Sequence, residues 1–172
     1  LNIFGDHSDV MACRQTGFAM LCEGNVQEVM DLSPVAHLAA LSGKVPFINF
    51  FDGFRTSHEI QKIAVWDYKD LADMCDMDAV KAFREHALNP EHPAMRGSHE
   101  NGDTFFQHRE ACNQYYDALP EVVEKYMGKI NEKLGTDYKL FNYYGAPDAD
   151  RVIIAMGSIC DVAEEVIDYL NA

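Results

Sequence analysis

The clearest hydrophobic pattern in the chain is an unbroken apolar run at residues 45–51 that passes directly into polar side chains. VPFINFF shows no alternation of polar and apolar positions, which is typical of a parallel strand covered on both faces. Asp52-Gly53 follows and favours a sharp turn. Because a strand must turn here, Gly53 is expected to adopt backbone angles that are open only to glycine.

The polar residues after this strand predict a strand-to-helix corner. Thr56 and Glu59 have the spacing of a capping box, so a helix is predicted to begin near His58. The carboxyl ends of strands form the ligand crevice of open α/β sheets, so Arg55 and His58 occupy a position where a site is expected. The alternative is structural: a helix cap with a solvated Arg-Glu pair.

The rest of the chain predicts an α/β order with long helical stretches. Helices are predicted at 25–41, 71–75, 77–88, 119–134 and 161–170, a strand end at 1–4, a strand entering a helix at 105–116, an irregular connection at 89–103, and a strand at 151–156. Pro34 is expected to kink the first of these helices or divide it in two. Gly135 is expected to cap the helix that begins at residue 119.

Charge and cysteine content narrow the class of protein. The chain has 14 basic and 28 acidic side chains, a net charge of −14. Without a cluster of Lys or Arg, nucleic acid and an anionic membrane are unfavourable partners, and no apolar run is long enough to span a bilayer. Five cysteines with no C-x-x-C pair argue against a disulfide framework or a zinc or iron-sulfur site within this chain. A cytoplasmic protein with reduced thiols fits best.

Four blocks, in order along the chain, resemble pyruvate:ferredoxin (flavodoxin) oxidoreductase. They are IFGDHSDVMACRQTG at 3–17, FFDGFRTSHEIQKI at 50–63, NPEHPAMRG at 89–97 and YKLFNYYGAPDADRVIIAMGS at 138–158. The resemblance implies an α/β fold in which residues 1–138 form the second half of a thiamine-diphosphate-fold pyrimidine-binding domain. It implies that residues 139–172 begin a transketolase carboxyl-terminal-like domain. We expect the chain to be an internal fragment of a longer protein.

The resemblance also implies a reaction and its cofactors. Enzymes of this family oxidatively decarboxylate pyruvate with coenzyme A to acetyl-CoA and carbon dioxide, using thiamine diphosphate and magnesium. Electrons leave through [4Fe-4S] clusters to ferredoxin or flavodoxin, and a homodimer is expected. The family's pyruvate and aminopyrimidine residues precede this chain, whereas its diphosphate, magnesium and cluster ligands follow it. No catalytic residue and no metal ligand is therefore assigned within the chain.

Candidate binding residues lie in two segments. Cofactor contacts are assigned to Leu1, Asp6, His7, Arg14 and Thr16, and substrate contacts to Arg55 and His58. For the first segment, hydrogen bonding that braces the loop is an equally good interpretation. His92 and His99 fit no zinc spacing, so they are interpreted as solvated loop histidines.

Other functions remain open on the residues alone. The chain could be a non-catalytic assembly or interface fragment, or part of an oxidoreductase for another 2-oxoacid. A hydrolase that uses Asp6 or Asp9 with His7 or His58 is less favoured, because the chain has no G-x-S-x-G nucleophile elbow.

Overall fold

A computed structural model of the chain describes residues 2–95, 97 and 99–172. The elements in chain order are α1 (Ser8–Ala12), β1 (Ala19–Glu23), α2 (Val26–Gly43), β2 (Phe47–Phe51), a 3-10 turn (Thr56–His58), α3 (Tyr68–Met74), α4 (Met77–Glu85), α5 (Gly102–Leu134) and α6 (Ile159–Asn171). The predicted α/β class is confirmed. Within the described ranges, no helix is both long and apolar enough to cross a membrane.

β1 and β2 form a two-stranded parallel sheet. Their register pairs Ala19 with Phe47 and Glu23 with Phe51, so both strands end at the same edge. The helix α2 makes the crossover that parallel strands require. The predicted strand at 45–51 is therefore confirmed as β2, whereas β1 was not among the predicted elements.

The helix α2 is continuous from end to end. Asn25 caps its first turn, since the Asn25 side chain accepts from the backbone N–H of Glu28 at 3.0 Å. Of the two outcomes predicted at Pro34, a kink or a division, the division does not occur, because Pro34 lies inside the helix. Proline removes one backbone donor, but the helical bonds on either side and the buried apolar face of α2 hold the helix together.

The core lies between α2 and the second half of α5. Its fully buried members are Leu32, Val35, Leu38, Ala39, Val45, Leu119, Val123, Tyr126, Met127 and Ile130. The members from α5 recur every three or four residues, as the buried face of a helix does. The two helices approach closely at Gly43, where an added Cβ would lie 2.9 Å from a methyl carbon of Leu119. Packing on both sides fixes the position of α2 relative to the sheet.

The helix α5 begins 17 residues before the start predicted at residue 119. Of the strand entering a helix that was predicted at 105–116, the strand is wrong, because all of these residues are helical. A lone strand without a neighbour leaves its backbone groups unpaired, whereas a helix pairs them internally. Pro120 is accommodated inside the helix at the cost of one backbone bond. Gly135 adopts the left-handed region with φ 72°, which confirms the predicted cap.

Two further predicted strands are absent from the described residues. Leu1 lies outside the described residues, and residues 3–5 form a turn instead of a strand end. Residues 151–156 have no regular structure, and Ile153 and Ile154 are 92% and 89% exposed. Without a partner strand, this apolar stretch gains no ladder hydrogen bonds. The helices predicted at 71–75, 77–88 and 161–170 correspond to α3, α4 and α6.

Tyr138→Phe tests the polar contact that anchors the segment after α5. The Tyr138 hydroxyl donates to Asp31 Oδ2 at 2.8 Å, and Asp31 is only 2% exposed. Removing the hydroxyl leaves a buried carboxylate with one donor fewer, so the free energy of unfolding should fall by about 1–3 kcal/mol. Urea denaturation measures the change. The exposed Tyr68→Phe is the control, and equal effects of the two substitutions would contradict this assignment.

Candidate functional site

The carboxyl edge of the sheet brings together polar residues from distant parts of the sequence. Asp52 directly follows β2, His7 lies just before α1, and Gly157-Ser158 precedes α6. This group, His7, Asp52, Gly157 and Ser158, is called the Asp52 cluster below. Its location is the one that the parallel sheet predicts for a ligand crevice.

The Asp52 carboxylate is the centre of the cluster and is 4% exposed. Its Oδ1 lies 2.9 Å from His7 Nε2, and its Oδ2 accepts from the backbone N–H of Ser158 at 2.6 Å. In the part of the chain that the structure describes, Oδ1 has no hydrogen-bond partner of good geometry, and His7 Nε2 is the ring nitrogen that lies beside it.

Glycine is required at position 157 for two reasons. Its φ is +82°, in the left-handed region. An added Cβ would also lie 2.9 Å from both oxygens of Asp52 and 3.1 Å from His7 Nε2. Gly24 is similarly close, since its Cβ would lie 3.2 Å from the Gly157 carbonyl oxygen. The segment before α6 thus rests directly on the ends of the strands.

The predicted capping box at Thr56 and Glu59 is wrong. Thr56 is buried, and its hydroxyl donates to the Gly24 carbonyl at 3.3 Å instead of capping a helix. A single 3-10 turn forms at Thr56–His58, and residues 59–67 contain no helix. The hydroxyl therefore joins the corner to the end of β1.

The unusual backbone at this corner belongs to Phe54 and not to Gly53. Phe54 has φ 65°, whereas Gly53 is outside the left-handed region and has open space where a Cβ would stand. A non-glycine residue in this region costs about 1–2 kcal/mol. The Phe54 ring stacks on His58 at 4.6 Å and meets the edge of Phe4 at 5.4 Å. These ring contacts hold Phe54 in its strained conformation.

The candidate binding residues near this edge differ in how many contacts their side chains make with the rest of the chain. His7 joins the Asp52 cluster, and His58 Nδ1 lies 2.8 Å from the Ser57 hydroxyl. The Arg55 side chain is exposed and forms no ion pair with any residue that the structure describes. The carboxylate of Asp6 accepts backbone N–H bonds from Asn2 and Ser8, which lower the pKa of Asp6 to about 2. Asp6 thus braces its own loop.

Arg14 and Thr16 make only local contacts and lie on the segment that leads into the amino end of β1. Arg14 Nη1 donates to the Met11 carbonyl at 2.7 Å, and the Thr16 hydroxyl donates to the Cys13 carbonyl at 2.6 Å. Leu1 lies outside the described residues. The structure therefore does not gather the predicted cofactor residues around one point, and their roles stay predictions.

Burial raises the pKa of two thiols and two carboxyl groups near this edge, which favours their neutral forms. Burial, reinforced by the charge of Asp52, raises the pKa of Cys22 to about 12, and burial also raises the pKa of Cys160. Neither thiol is therefore a ready nucleophile at neutral pH. Burial raises the pKa of Glu23 to about 8. Glu28 has a raised pKa from burial, although its carboxylate accepts from the Gly24 N–H at 2.6 Å.

Hydrolase chemistry finds little support at this edge. The pair of Ser57 and His58 has the contact of a nucleophile with a base. However, the His58 ring stacks on Phe54, and no carboxylate orients it within the described residues.

In the same residues, no three His, Cys, Asp or Glu side chains are grouped so that they could hold a metal ion. The absence of a metal at His92 and His99 remains a prediction.

The sequence did not predict a role for the two acidic residues at the carboxyl ends of the strands, Glu23 in β1 and Asp52 directly after β2. Asp52 was interpreted only as part of a turn, and Glu23 was not singled out. The available signal was the same in both cases: an acidic residue directly after an apolar run and directly before glycine. Gly157-Ser158 was interpreted as a turn, which it is, but its contact with Asp52 spans 106 positions and has no local signature.

Asp52→Asn tests whether the Asp52 cluster holds α6 on the sheet. The amide loses the charge-assisted contact with His7, so attachment of residues 158–161 should weaken by about 1–3 kcal/mol. Faster hydrogen exchange of these amides measures the loss. Gly157→Ala should act more strongly, because the new methyl would meet the carboxylate. The exposed Asp150→Asn is the control, and unchanged exchange in Asp52→Asn would refute the role of the cluster.

Comparison with known proteins identifies the family. Residues 1–128 match the family described as pyruvate flavodoxin/ferredoxin oxidoreductase, thiamine diphosphate-binding. The chain is 64% identical over 172 residues to the pyruvate-flavodoxin oxidoreductase of Enterobacter agglomerans, covering 100% of the chain and 15% of that protein. It is 60% identical over 170 residues to the pyruvate:ferredoxin oxidoreductase of Moorella thermoacetica, covering 99% of the chain and 14% of that protein.

A third relative differs in its printed activity. The pyruvate dehydrogenase [NADP(+)] of Cryptosporidium parvum is 50% identical over 170 residues, covering 99% of the chain and 9% of that protein. The chain thus spans at most about 15% of the length of these three relatives. Since the family match covers 128 of 172 residues, the chain belongs to the pyruvate flavodoxin/ferredoxin oxidoreductase family, in its thiamine diphosphate-binding part.

Proposed function

We propose that this chain is part of an enzyme that oxidatively decarboxylates pyruvate with coenzyme A to acetyl-CoA and carbon dioxide. Electrons would pass through iron-sulfur clusters to flavodoxin or ferredoxin. The observation that carries this proposal is the identity of 64% and 60% to relatives named for pyruvate and for these two acceptors. The proposal that the enzyme uses coenzyme A and iron-sulfur clusters is supported by the resemblance to this family.

The remaining features of the intact enzyme are proposed on the same basis. They are a homodimer in the cytoplasm and a domain boundary near residue 138, ten residues beyond the end of the family match. The relative named for NADP(+) keeps 50% identity over this region, so this part of the chain does not determine the acceptor. A different 2-oxoacid remains the alternative substrate.

The Asp52 cluster does not suit the diphosphate of thiamine diphosphate. Asp52, Glu23 and Glu28 place carboxyl groups at the ends of the strands, and none of them pairs with Lys or Arg in the described structure. An anionic diphosphate would find no cation there to offset its charge. We therefore assign the diphosphate and magnesium ligands to other parts of the enzyme. His7 and Asp52 then hold the scaffold beside the cofactor without chelating it.

Arg55 is the residue of this chain best placed to contact an anionic substrate. Its guanidinium is exposed beside the carboxyl end of β2, and the strained Phe54 precedes it. Strained backbone at a strand end is a common feature of functional sites. The pyruvate carboxylate and the phosphates of coenzyme A are the anions that the proposed reaction supplies. His58, whose Nδ1 lies 2.8 Å from the Ser57 hydroxyl, is the second residue proposed to contact the substrate.

A role in assembly is the second candidate function. Apolar side chains of α6 are exposed: Ile159, Val162, Val166, Tyr169 and Leu170 are each at least 49% accessible. Exposed apolar patches of this kind mark interaction surfaces. Such a surface fits a chain that contributes contacts to a larger enzyme rather than reacting groups.

Arg55→Ala in the intact enzyme separates the substrate role from a structural one. Loss of a charge-assisted contact to an anion should weaken binding by about 2–4 kcal/mol, which raises the KM for pyruvate or coenzyme A on the order of 30- to 700-fold. Steady-state kinetics measures both constants. Arg109→Ala, at an exposed position on α5, is the control. Unchanged KM values with a lowered melting temperature would make the corner structural.

The 172-residue polypeptide alone should not oxidise pyruvate, because the residues assigned to pyruvate, magnesium and the clusters lie outside it. The assay is pyruvate-dependent and coenzyme A-dependent dye reduction with added thiamine diphosphate and magnesium. The intact enzyme serves as the positive control. Turnover by the purified polypeptide would refute the assignment of ligands to the rest of the enzyme.

A further inference from the structure

Two buried polar groups on neighbouring strands have unmet hydrogen-bonding needs. Glu23, the last residue of β1, is 0% exposed, and neither of its carboxyl oxygens has a geometrically good partner among the described residues. The Oδ1 atom of Asn49, on β2, is also buried and has no hydrogen-bond partner among the described residues. Buried polar groups in proteins are nearly always satisfied, so two such groups need a common explanation.

The register of the sheet places these two groups on the same face. Glu23 pairs with Phe51, and Leu21 pairs with Asn49. Side chains alternate along a strand, so Glu23, Leu21 and Asn49 share one face. Asn49 is the diagonal neighbour of Glu23, within reach of a long side chain, and it lowers the pKa of Glu23 by less than burial raises it.

The orientation of the Asn49 amide follows from its contact with α2. The Ser33 hydroxyl donates its single proton to the Val29 carbonyl at 2.6 Å. Ser33 can then only accept from Asn49, whose Nδ2 lies 2.9 Å away. Ser33 thus takes one of the two Asn49 amide protons, and the other reaches neither oxygen of Glu23, because both of these lack a partner. Asn49 Oδ1 also lacks a donor among the described residues. A carboxylate cannot supply one, whereas a carboxylic acid can.

We propose that Glu23 is a buried proton-binding site: its neutral carboxylic acid donates to Asn49 Oδ1. The hydrogen-bonded chain then runs from Glu23 through Asn49 and Ser33 to the Val29 carbonyl. It joins the carboxyl end of β1 to β2 and to α2, independently of the proposed reaction. Removing this proton leaves a buried carboxylate and Asn49 Oδ1 without a donor among the described residues.

The charges around Glu23 favour the neutral form. From α2, the acidic Glu28 faces it, and from β1 the neighbouring Cys22 is a neutral thiol. Asp52 after β2 and Cys160 on α6 act on Cys22 instead. No cation pairs with Glu23 in the described ranges. Burial, with a smaller contribution from Glu28, accordingly raises the pKa of Glu23 from 4.5 to about 8.

The direction of the pH dependence follows from this raised pKa. The folded protein binds the proton more tightly than the unfolded chain does. The contribution to stability is fully present below pH 4.5 and is lost as the pH rises toward about 8. The neighbouring Gly24 carries the contacts with Thr56 and Gly157, so ionisation of Glu23 acts where α6 meets the sheet.

Infrared difference spectroscopy of the intact protein tests the proton directly. Subtracting the spectrum of Glu23→Gln from that of the native protein at pH 6 should leave one carboxylic-acid C=O band. The band should titrate away with a midpoint near 8. Glu121→Gln, at an exposed glutamate on α5, should give no such band at pH 6. Absence of the band in the Glu23 difference spectrum at pH 6 overturns the proposal.

Thermal unfolding of the same proteins tests the hydrogen bond. Glu23→Gln keeps a donor toward Asn49 Oδ1 and cannot ionise, so its melting temperature should lose the part of the decline between pH 5 and pH 8 that the native protein shows. Glu23→Leu removes the donor and should melt below Glu23→Gln at pH 6. In an Asn49→Leu background, that difference between Gln and Leu should shrink. An unaltered pH profile in Glu23→Gln, or an undiminished difference in the Asn49→Leu background, also overturns the proposal.

Discussion

Burial of the Asp52 carboxylate is the constraint on which the carboxyl edge of the sheet depends. One oxygen contacts the imidazole of His7, and the other accepts the Ser158 amide. The end of β2, the loop before α1 and the start of α6 are therefore held by one side chain. A buried charge of this kind is costly unless both of its oxygens are satisfied, so the three segments must arrive together. The bare glycine at position 157 is what allows them to approach.

The carboxyl groups at this edge avoid the cost of burial in three different ways. Asp52 accepts a backbone N–H at Oδ2 and has His7 Nε2 beside Oδ1, Glu28 accepts the Gly24 amide, and Glu23 has its pKa raised toward the neutral acid. None of these solutions uses Lys or Arg within the described structure. The edge is thus acidic in composition but offers little free charge.

The elements that could be predicted from the sequence are those with a strong local pattern. The run at 45–51 and the helix predicted at 25–41 correspond to β2 and α2, because an apolar run and a helical spacing of apolar residues are local features. The strand at 105–116 and the capping box at Thr56 were wrong, because the outcome there depended on distant partners: a neighbouring strand that is absent, and the Gly24 carbonyl. The candidate site was located only in part. The corner after β2 was predicted, but the pairing of His7 with Asp52 joins positions 45 residues apart.

The length of α5 has a mechanical consequence. At 1.5 Å per residue, its 33 residues extend over about 50 Å, and its buried contacts lie between Leu119 and Ile130. Before Tyr116, whose hydroxyl donates to the Gly17 carbonyl at 2.9 Å, the segment that begins at Gly102 extends as a rod held at one end. A tilt of about 5° at Tyr126 displaces Phe105, 21 residues away, by about 3 Å. Motions too small to disturb the core are amplified at the exposed aromatic end, with Pro120 as the point where the rod lacks a backbone bond and bends most easily.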